Sequence, residues 1–246
     1  MKRVALSFGL VVVPVLAWAS GAEAACSGSG QAWSCEPGSG VADVQSALDA
    51  ATDGAIVTFA AGAYSWDDMI RFAPDRGVTL ACSAEGACDV AVTTGTILAL
   101  NGDLSGTNDS LYRITGFAFH DAPDGALAIW FWGPGTLSKV RVDHNTFADF
   151  GESAIAIAFG ESTTVGAYYG VLDHNVVTGP HNFLLLHVFG GMNDTPPASP
   201  RGKVENMFVE DNTMSFTAIT NTGSAARTAG VGPASSGGTT RRRTAW

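Results

Sequence analysis

Basic residues are scarce in this chain: 13 Lys and Arg stand against 23 Asp and Glu, for a net charge of −10 at pH 7. The imbalance is sharper in the body, where residues 25–222 hold 22 acids and 7 basic residues, a balance of −15. Nucleic acid is therefore excluded as the expected partner, because phosphate binding needs a basic surface. An acidic surface instead suits solubility, divalent cations or sugars. Cysteine is limited to four residues, and none of them has the C-x-x-C spacing of a zinc site. No G-x-S-x-G, Walker, H-E-x-x-H or dinucleotide-binding fingerprint occurs, so the familiar local signatures of hydrolases and nucleotide enzymes are missing. Beyond the N-terminus no apolar run approaches the ~20 residues that a membrane span needs.

The N-terminus itself reads as an export signal. Lys2 and Arg3 precede an apolar stretch from Val4 to Trp18, and Ala22-Glu23-Ala24 offers a small-x-small cleavage site. The expectation is a protein secreted, periplasmic or held at the cell surface after cleavage near Ala24, with residues 1–24 as signal peptide. Glu23 stands where a lipobox needs an aliphatic residue, which argues against lipidation at Cys26. Export favours disulfides. Proximity suggests Cys26–Cys35 and Cys82–Cys88 among the three possible pairings.

What the chain has in abundance is self-similarity. Val142-Asp143-His144-Asn145-Thr146-Phe147, Leu172-Asp173-His174-Asn175-Val176-Val177 and Val209-Glu210-Asp211-Asn212-Thr213-Met214 share one frame: apolar, acid, polar, Asn, any, apolar. Ile114-Thr115-Gly116-Phe117-Ala118-Phe119 fits it too, with Phe117 in place of Asn. A strand-like unit of this length, with variable insertions, reads as one coil of a β-solenoid. Asn145, Asn175 and Asn212 are expected to stack as a ladder at the coil turns, since Asn tolerates left-handed backbone and its amide both donates and accepts. The flanking apolar positions would then stack into the interior.

Ahead of the repeats, Cys26 to Gly40 is Gly/Ser-rich and reads as a loop. Val41 to Ala51 has helical apolar spacing and ends at Asp53-Gly54, followed by short strands at 55–60, 64–66, 70–72 and 78–80. A helix at this place plugs the open end of a solenoid. The phrase V-Q-S-A-L-D-A-A-T-D-G-A-I-V-T-F-A-A-G-A-Y-S-W, residues 44–66, resembles the capping opening of pectate-lyase-like proteins, and the D-H-N-x-F coils match their repeat style. The likeness covers roughly residues 41–220. It implies an all-β, right-handed parallel β-helix with a short N-terminal capping helix: a cap at 41–66 and coils at about 67–222 within one domain, 25–222. More narrowly the chain is similar to a bacterial group of secreted β-helix proteins without an assigned reaction, in which a V-x-x-E-D-N-x-F coil is followed by one reading roughly G-A-R-V-V-x-R-x-N. The superfold hosts lyases, hydrolases, epimerases and adhesins, so the motifs speak for fold more than for chemistry. Its lyases abstract a proton α to a uronate carboxylate, with an Arg or Lys base and calcium.

Residues 223–246 lose both the strand pattern and the acids, and hold four Arg. They read either as a disordered basic tail or as a shifted reading frame. Joining each third base to the next two lets residues 229–240 encode G-W-G-G-A-R-V-V-W-R-H-N, the next coil that the resemblance implies. The second reading makes the chain incomplete at its C-terminus, and the arginines of that coil would be lost.

Alternation puts Val142, Leu172 and Val209 inward and stacks Asp143, Asp173 and Glu210 on one exterior line. Three uses are open for these acids: solvated surface charge, calcium ligands, or a catalytic acid/base or nucleophile pair. Arg113 and Arg141 occupy matching places two residues before the acid column and are candidates to bind a uronate carboxylate, or to partner the acidic line. His144 and His174 are expected to face partly inward and bond backbone at the corner. Trp130, Trp132, Tyr168 and Tyr169 are candidate sugar platforms. The function expected is a polysaccharide-active protein, lyase or hydrolase, acting on a polysaccharide or cell-surface glycan. The alternative is a non-catalytic carbohydrate-binding or cell-surface adhesion module. Resequencing the coding DNA across codons 215–246 checks the tail: a single-base change that restores further coils supports the frame shift, and an intact frame rejects it.

Overall fold

A computed structural model describes residues 25–73, 75–101, 107–123, 125–132, 136–150, 153–158, 167–179, 184–189, 207–216 and 244–245. The expected signal peptide, the Pro-rich insertion at 195–200 and nearly all of the tail lie outside the described residues.

The segment read as a loop is a hairpin, β1 (Cys26–Ser29) and β2 (Ala32–Cys35), followed by α1 (Val41–Ala50). Five coils of three strands come next. The first holds β3 (Ala55–Phe59), β4 (Gly62–Trp66) and β5 (Ile70–Phe72), and the second β6 (Val78–Cys82), β7 (Cys88–Val92) and β8 (Thr96–Asn101). The third holds β9 (Thr107–Thr115), β10 (Phe117–His120) and β11 (Leu127–Trp132), and the fourth β12 (Thr136–Asp143), β13 (Thr146–Ala148) and β14 (Ser153–Ala158). The fifth holds β15 (Ala167–Asp173), β16 (Val176–Gly179) and β17 (Leu184–Phe189). After them come β18 (Met207–Glu210), β19 (Thr213–Phe216) and β20 (Thr244–Ala245). Corresponding strands of successive coils pair in parallel, so the first strands build one sheet (β2-β3-β6-β9-β12-β15-β18), the second strands another (β4-β7-β10-β13-β16-β19), and the third strands a third (β5-β8-β11-β14-β17). The chain is a parallel β-helix. Its coils begin at Ala55, earlier than the sequence boundary: β3 and β4 pair within the main sheets rather than serving as cap.

Two-residue alternation fills the interior. Val57, Leu80, Ile114, Val142 and Leu172 are paired rung by rung and buried. On the second sheet Tyr64, Val90, Phe119, Phe147 and Val177 do the same, and Phe119 lies flat on Phe147 at 5.4 Å between ring centroids. Such columns are stable because each buried side chain packs on its own kind above and below, at about 25 cal/mol per Å² of apolar surface removed from water.

The N-terminal end is closed at each sheet edge, where open backbone would otherwise pair with another chain. Helix α1 buries Val44, Ala47 and Leu48 and lies against β1, β2 and β5. Its Gln45 side chain imitates a strand for β5: Oε1 accepts from the Arg71 N–H at 2.8 Å and Nε2 donates to the Arg71 carbonyl at 3.1 Å. Gly38 N–H donates to the Ala63 carbonyl at 2.9 Å beside β4, and β2 covers the edge of β3. Disulfides join Cys26 to Cys35 across the hairpin and Cys82 to Cys88 across the turn between β6 and β7.

The turn between first and second strands explains the repeat. Its left-handed residue is the one before the Asn, or before Phe117 where that takes the Asn's place: Gly116 (φ 85°), His144 (57°), His174 (55°) and Asp211 (53°). That differs from the expectation that Asn itself takes this conformation. The Asn sits inside the bend, where its amide does the bonding. Asn175 Oδ1 accepts from both the backbone and the side-chain N–H of Asn145 at 3.1 Å, and Asn212 Oδ1 accepts from those of Asn175 at 2.8 and 2.9 Å. Asn175 Nδ2 also donates to the Val142 carbonyl at 2.9 Å. Phe117 starts the column: its N–H donates to Asn145 Oδ1 at 3.0 Å, while its ring joins the aromatic cluster of Phe59, Trp66 and Phe119.

Buried groups stripped of partners are costly, so Asn175→Ala should destabilise by about 3 kcal/mol and Asn212→Ala, which is less buried, by about 1 kcal/mol. Urea denaturation of the two variants measures this, and equal losses would refute the ladder as the source.

Candidate functional site

The acidic column forms in register, with Thr115 paired to Asp143, Asp143 to Asp173 and Asp173 to Glu210. The column on the same face two residues earlier runs Thr79, Arg113, Arg141, Val171, Phe208. Because strands alternate, both columns point away from the core. Exposure, however, departs from the sequence expectation. Asp143 is 0% and Asp173 4% exposed, so neither lies on the open surface.

The cause is a diagonal contact between coils. Arg113 on β9 reaches down one strand and two residues along to Asp143, with Nε donating to Oδ1 at 2.7 Å and Nη2 to Oδ2 at 2.5 Å. Arg141 on β12 repeats the fork on Asp173 at 3.1 and 2.9 Å, and its Nε also stands 3.7 Å from Asp143 Oδ1. Two parallel N–H···O bonds make this the strong, geometrically fixed form of ion pair. The guanidinium layer shields the carboxylates while remaining one-third or more exposed itself, 33% for Arg113 and 41% for Arg141. Val171 ends the arginine column on the next coil.

The histidines complete each unit, in a way the sequence reading did not anticipate. His144 Nδ1 lies 2.8 Å from Asp143 Oδ2, and His174 Nδ1 lies 2.8 Å from Asp173 Oδ2. They bond carboxylate rather than backbone, and both are partly exposed rather than turned inward. The two rings stack with centroids 5.0 Å apart and planes within 3°. Left-handed backbone at 144 and 174 swings the side chain out of the strand and over the acid that precedes it. The signal was present in the sequence: D-H-N occurs twice in the same frame, and R-V-D-H-N once, at 141–145.

Charge states follow from these contacts. Burial pushes the Asp143 carboxyl up, but the bonds from Arg113 and His144 and the nearby Arg141 charge outweigh it, leaving the pKa below the ordinary 3.8. The bond to Asp143 raises the Arg113 pKa, and the bond to Asp173 raises that of Arg141. Both guanidiniums are thus charged donors held over the carboxylates they pair with. Asp143 and Asp173 each accept from an Arg fork and face a His ring nitrogen, so their oxygens lie among side-chain donors rather than in open solvent. Among the described residues no cluster of three or more His, Cys, Asp and Glu is placed to hold a metal ion. Glu210 extends the acid column on the next coil.

Tyr169 is half-buried on β15, the strand beside that of Arg141. Trp130 is half-buried on β11, in the third sheet, and so is not brought to the Arg–Asp–His units. Trp132 and Tyr168 lie on strands, but their side chains fall outside the described residues.

No protein-family model matches the chain, and no curated protein matches it. Among solved structures the chain is similar to the PL6 family alginate lyase AlyGC, at 15% identity and a TM-score of 0.47. The match covers 78% of this chain and 29% of that enzyme's length. The parallel β-helix assignment stands on the strand pairings themselves.

Asp143 contributes stability above the carboxyl range, because its folded pKa is lowered, and loses it as pH falls through that lowered value. Asp143→Asn should therefore melt at a lower temperature than wild type at pH 7, with the gap narrowing below about pH 4. Thermal melts of both proteins at pH 7 and pH 3 test this, and a gap of constant size would contradict it.

Proposed function

We propose that this is an exported protein that binds an acidic polysaccharide along the outer face of its first-strand sheet, as a non-catalytic module. The observation that carries the reading is the repeat of an Arg–Asp–His unit on two successive coils, in register and partly exposed. Units one strand apart recur every ~4.8 Å along the solenoid axis. A linear polymer laid along that axis meets the same donors on the two successive coils that carry Arg113 and Arg141. Each guanidinium keeps N–H groups beyond those spent on its aspartate, and these suit a carboxylate. The resemblance to pectate-lyase-like proteins supports a polysaccharide as partner, and the two disulfides fit an oxidising, extracellular compartment.

Binding without cleavage is favoured because the groups that a lyase or hydrolase would use are committed. A β-elimination needs a basic group free to take the proton α to the uronate carboxylate, and both arginines are engaged as donors to aspartates. A retaining hydrolase needs two free carboxyls, and Asp143 and Asp173 lie under guanidinium.

Incubation with a panel of polyuronates and neutral glycans, with and without calcium, tests the reading. Retention on a polyuronate with no new absorbance from unsaturated ends, and no new reducing ends, is expected. Unsaturated product would instead make the protein a lyase. Loss of retention of about tenfold is expected in Arg113→Ala or Arg141→Ala, in keeping with one charge-assisted contact.

A further inference from the structure

Beyond Arg141 the arginine column changes character, and the change selects among acidic polymers. Resting on the acidic-polysaccharide reading, we infer that Tyr169, Val171 and Phe208 form an apolar subsite on the same face. It takes an uncharged sugar residue next to the carboxylate held at Arg113 and Arg141. The ligand class is then a mixed polymer, in which uncharged residues interrupt the acidic ones, rather than a uniform polyuronate.

Register places the three side chains. Val171 pairs with Arg141 on one side and with Phe208 on the other, so the two continue the arginine column onto the next two strands. Tyr169 lies two residues before Val171 on β15 and, by alternation, on the same outer face. All three are half-buried, so each keeps part of its surface toward solvent. Neighbouring strands stand ~4.8 Å apart and alternate residues of one strand ~6.6 Å apart, so the three outline a patch roughly the size of one pyranose. An irregular pairing sits beside the tyrosine. Where β12 advances three residues, from Leu137 to Val140, β15 advances two, from Tyr168 to Gly170. Gly170 makes that fit possible, since a Cβ there would run into the Val140 carbonyl. Bulges re-aim side chains beside binding surfaces, and this one lies opposite Tyr169.

Chemistry sets what fits there. Val171 and Phe208 carry no side-chain donor for a carboxylate, whereas the C–H face of an uncharged pyranose gains by leaving water against them. The Tyr169 ring adds to the same apolar surface, and its hydroxyl suits a sugar hydroxyl. The acid column points the same way. Arg113 and Arg141 each reach diagonally to an aspartate on the next coil, and the matching place over Glu210 is held by Val171. The arginine column therefore supplies no cation at this level, where Glu210 and Asp211 add two acids. A second uronate is disfavoured in that setting. A ligand along the axis thus meets two arginine steps and then two apolar ones.

Titration calorimetry of the full chain tests the subsite with two backbones, polygalacturonate and alginate, each as the free acid and as the partly esterified form. Esterification leaves the backbone intact and turns some of its acidic residues into uncharged ones. Wild type should bind the partly esterified form of one backbone about fivefold tighter than its free acid, the scale of one aromatic contact. Tyr169→Ala and Phe208→Ala should each abolish that preference without weakening binding of the free acid. Tyr169→Phe and Phe208→Tyr, which keep the rings, should retain it. Equal affinity of wild type for the two forms, or a preference that survives both alanine variants, overturns the subsite and leaves the acidic-glycan reading standing. Sedimentation velocity of wild type and Phe208→Ala asks whether a second copy of the chain uses the patch instead. A dimer that is lost in the variant also overturns the subsite. No binding to either form of either backbone overturns both readings together.

Discussion

An asparagine column running through the turns of the later coils, Asn145, Asn175 and Asn212, is the interaction on which that part of the solenoid depends. A parallel coil must leave one sheet and enter the next without an antiparallel neighbour to satisfy its backbone. The Asn amide meets that need in both directions. It donates to carbonyls of its own and the preceding coil, and accepts the N–H of the coil before it. Because Asn145, Asn175 and Asn212 are linked to one another, each turn fixes the height and angle of the next. The apolar columns then stack in register without further specification.

The same turn creates the candidate site. Placing the amide inward forces left-handed backbone on the residue before it, and that residue's side chain is thrown outward over the strand end. Gly116 fills this place in the third coil and contributes nothing beyond its freedom to adopt a φ of 85°. His144 and His174 fill it in the next two coils and gain a partner, the acid that ends the strand. Structural and functional layers share residues here: the arginines that shield Asp143 and Asp173 also form the exposed surface, and the acids beneath orient the imidazoles. A ligand on this face would read a pattern whose spacing is that of the backbone ladder.

Shielding also decides between chemistries. A bare line of stacked carboxylates would repel itself, raise its own pKa values and attract a cation. The arginine column reverses this: it holds the Asp143 pKa low and leaves the guanidiniums as charged donors at the surface.

The sequence by itself determined the coil period, the inward apolar columns and the asparagine column. All three are properties of a strand alternating every second residue and a turn repeated about every 30 residues. The resemblance to pectate-lyase-like proteins pointed the same way. The two earliest coils were harder to read, because their turns lack the Asn signature and their strands merge with a cap-like segment. The hairpin before the helix was hidden by its Gly and Ser content. Only the tertiary structure decided which side chains meet across coils. Whether Arg113 lies over Asp143, over Thr115 or in water depends on the register between neighbouring strands, which pairs Arg113 with Arg141 and so puts Asp143 diagonally across from it. Exposure of the acids turned on that one contact, since a guanidinium placed over a carboxylate both excludes water and stabilises its charge.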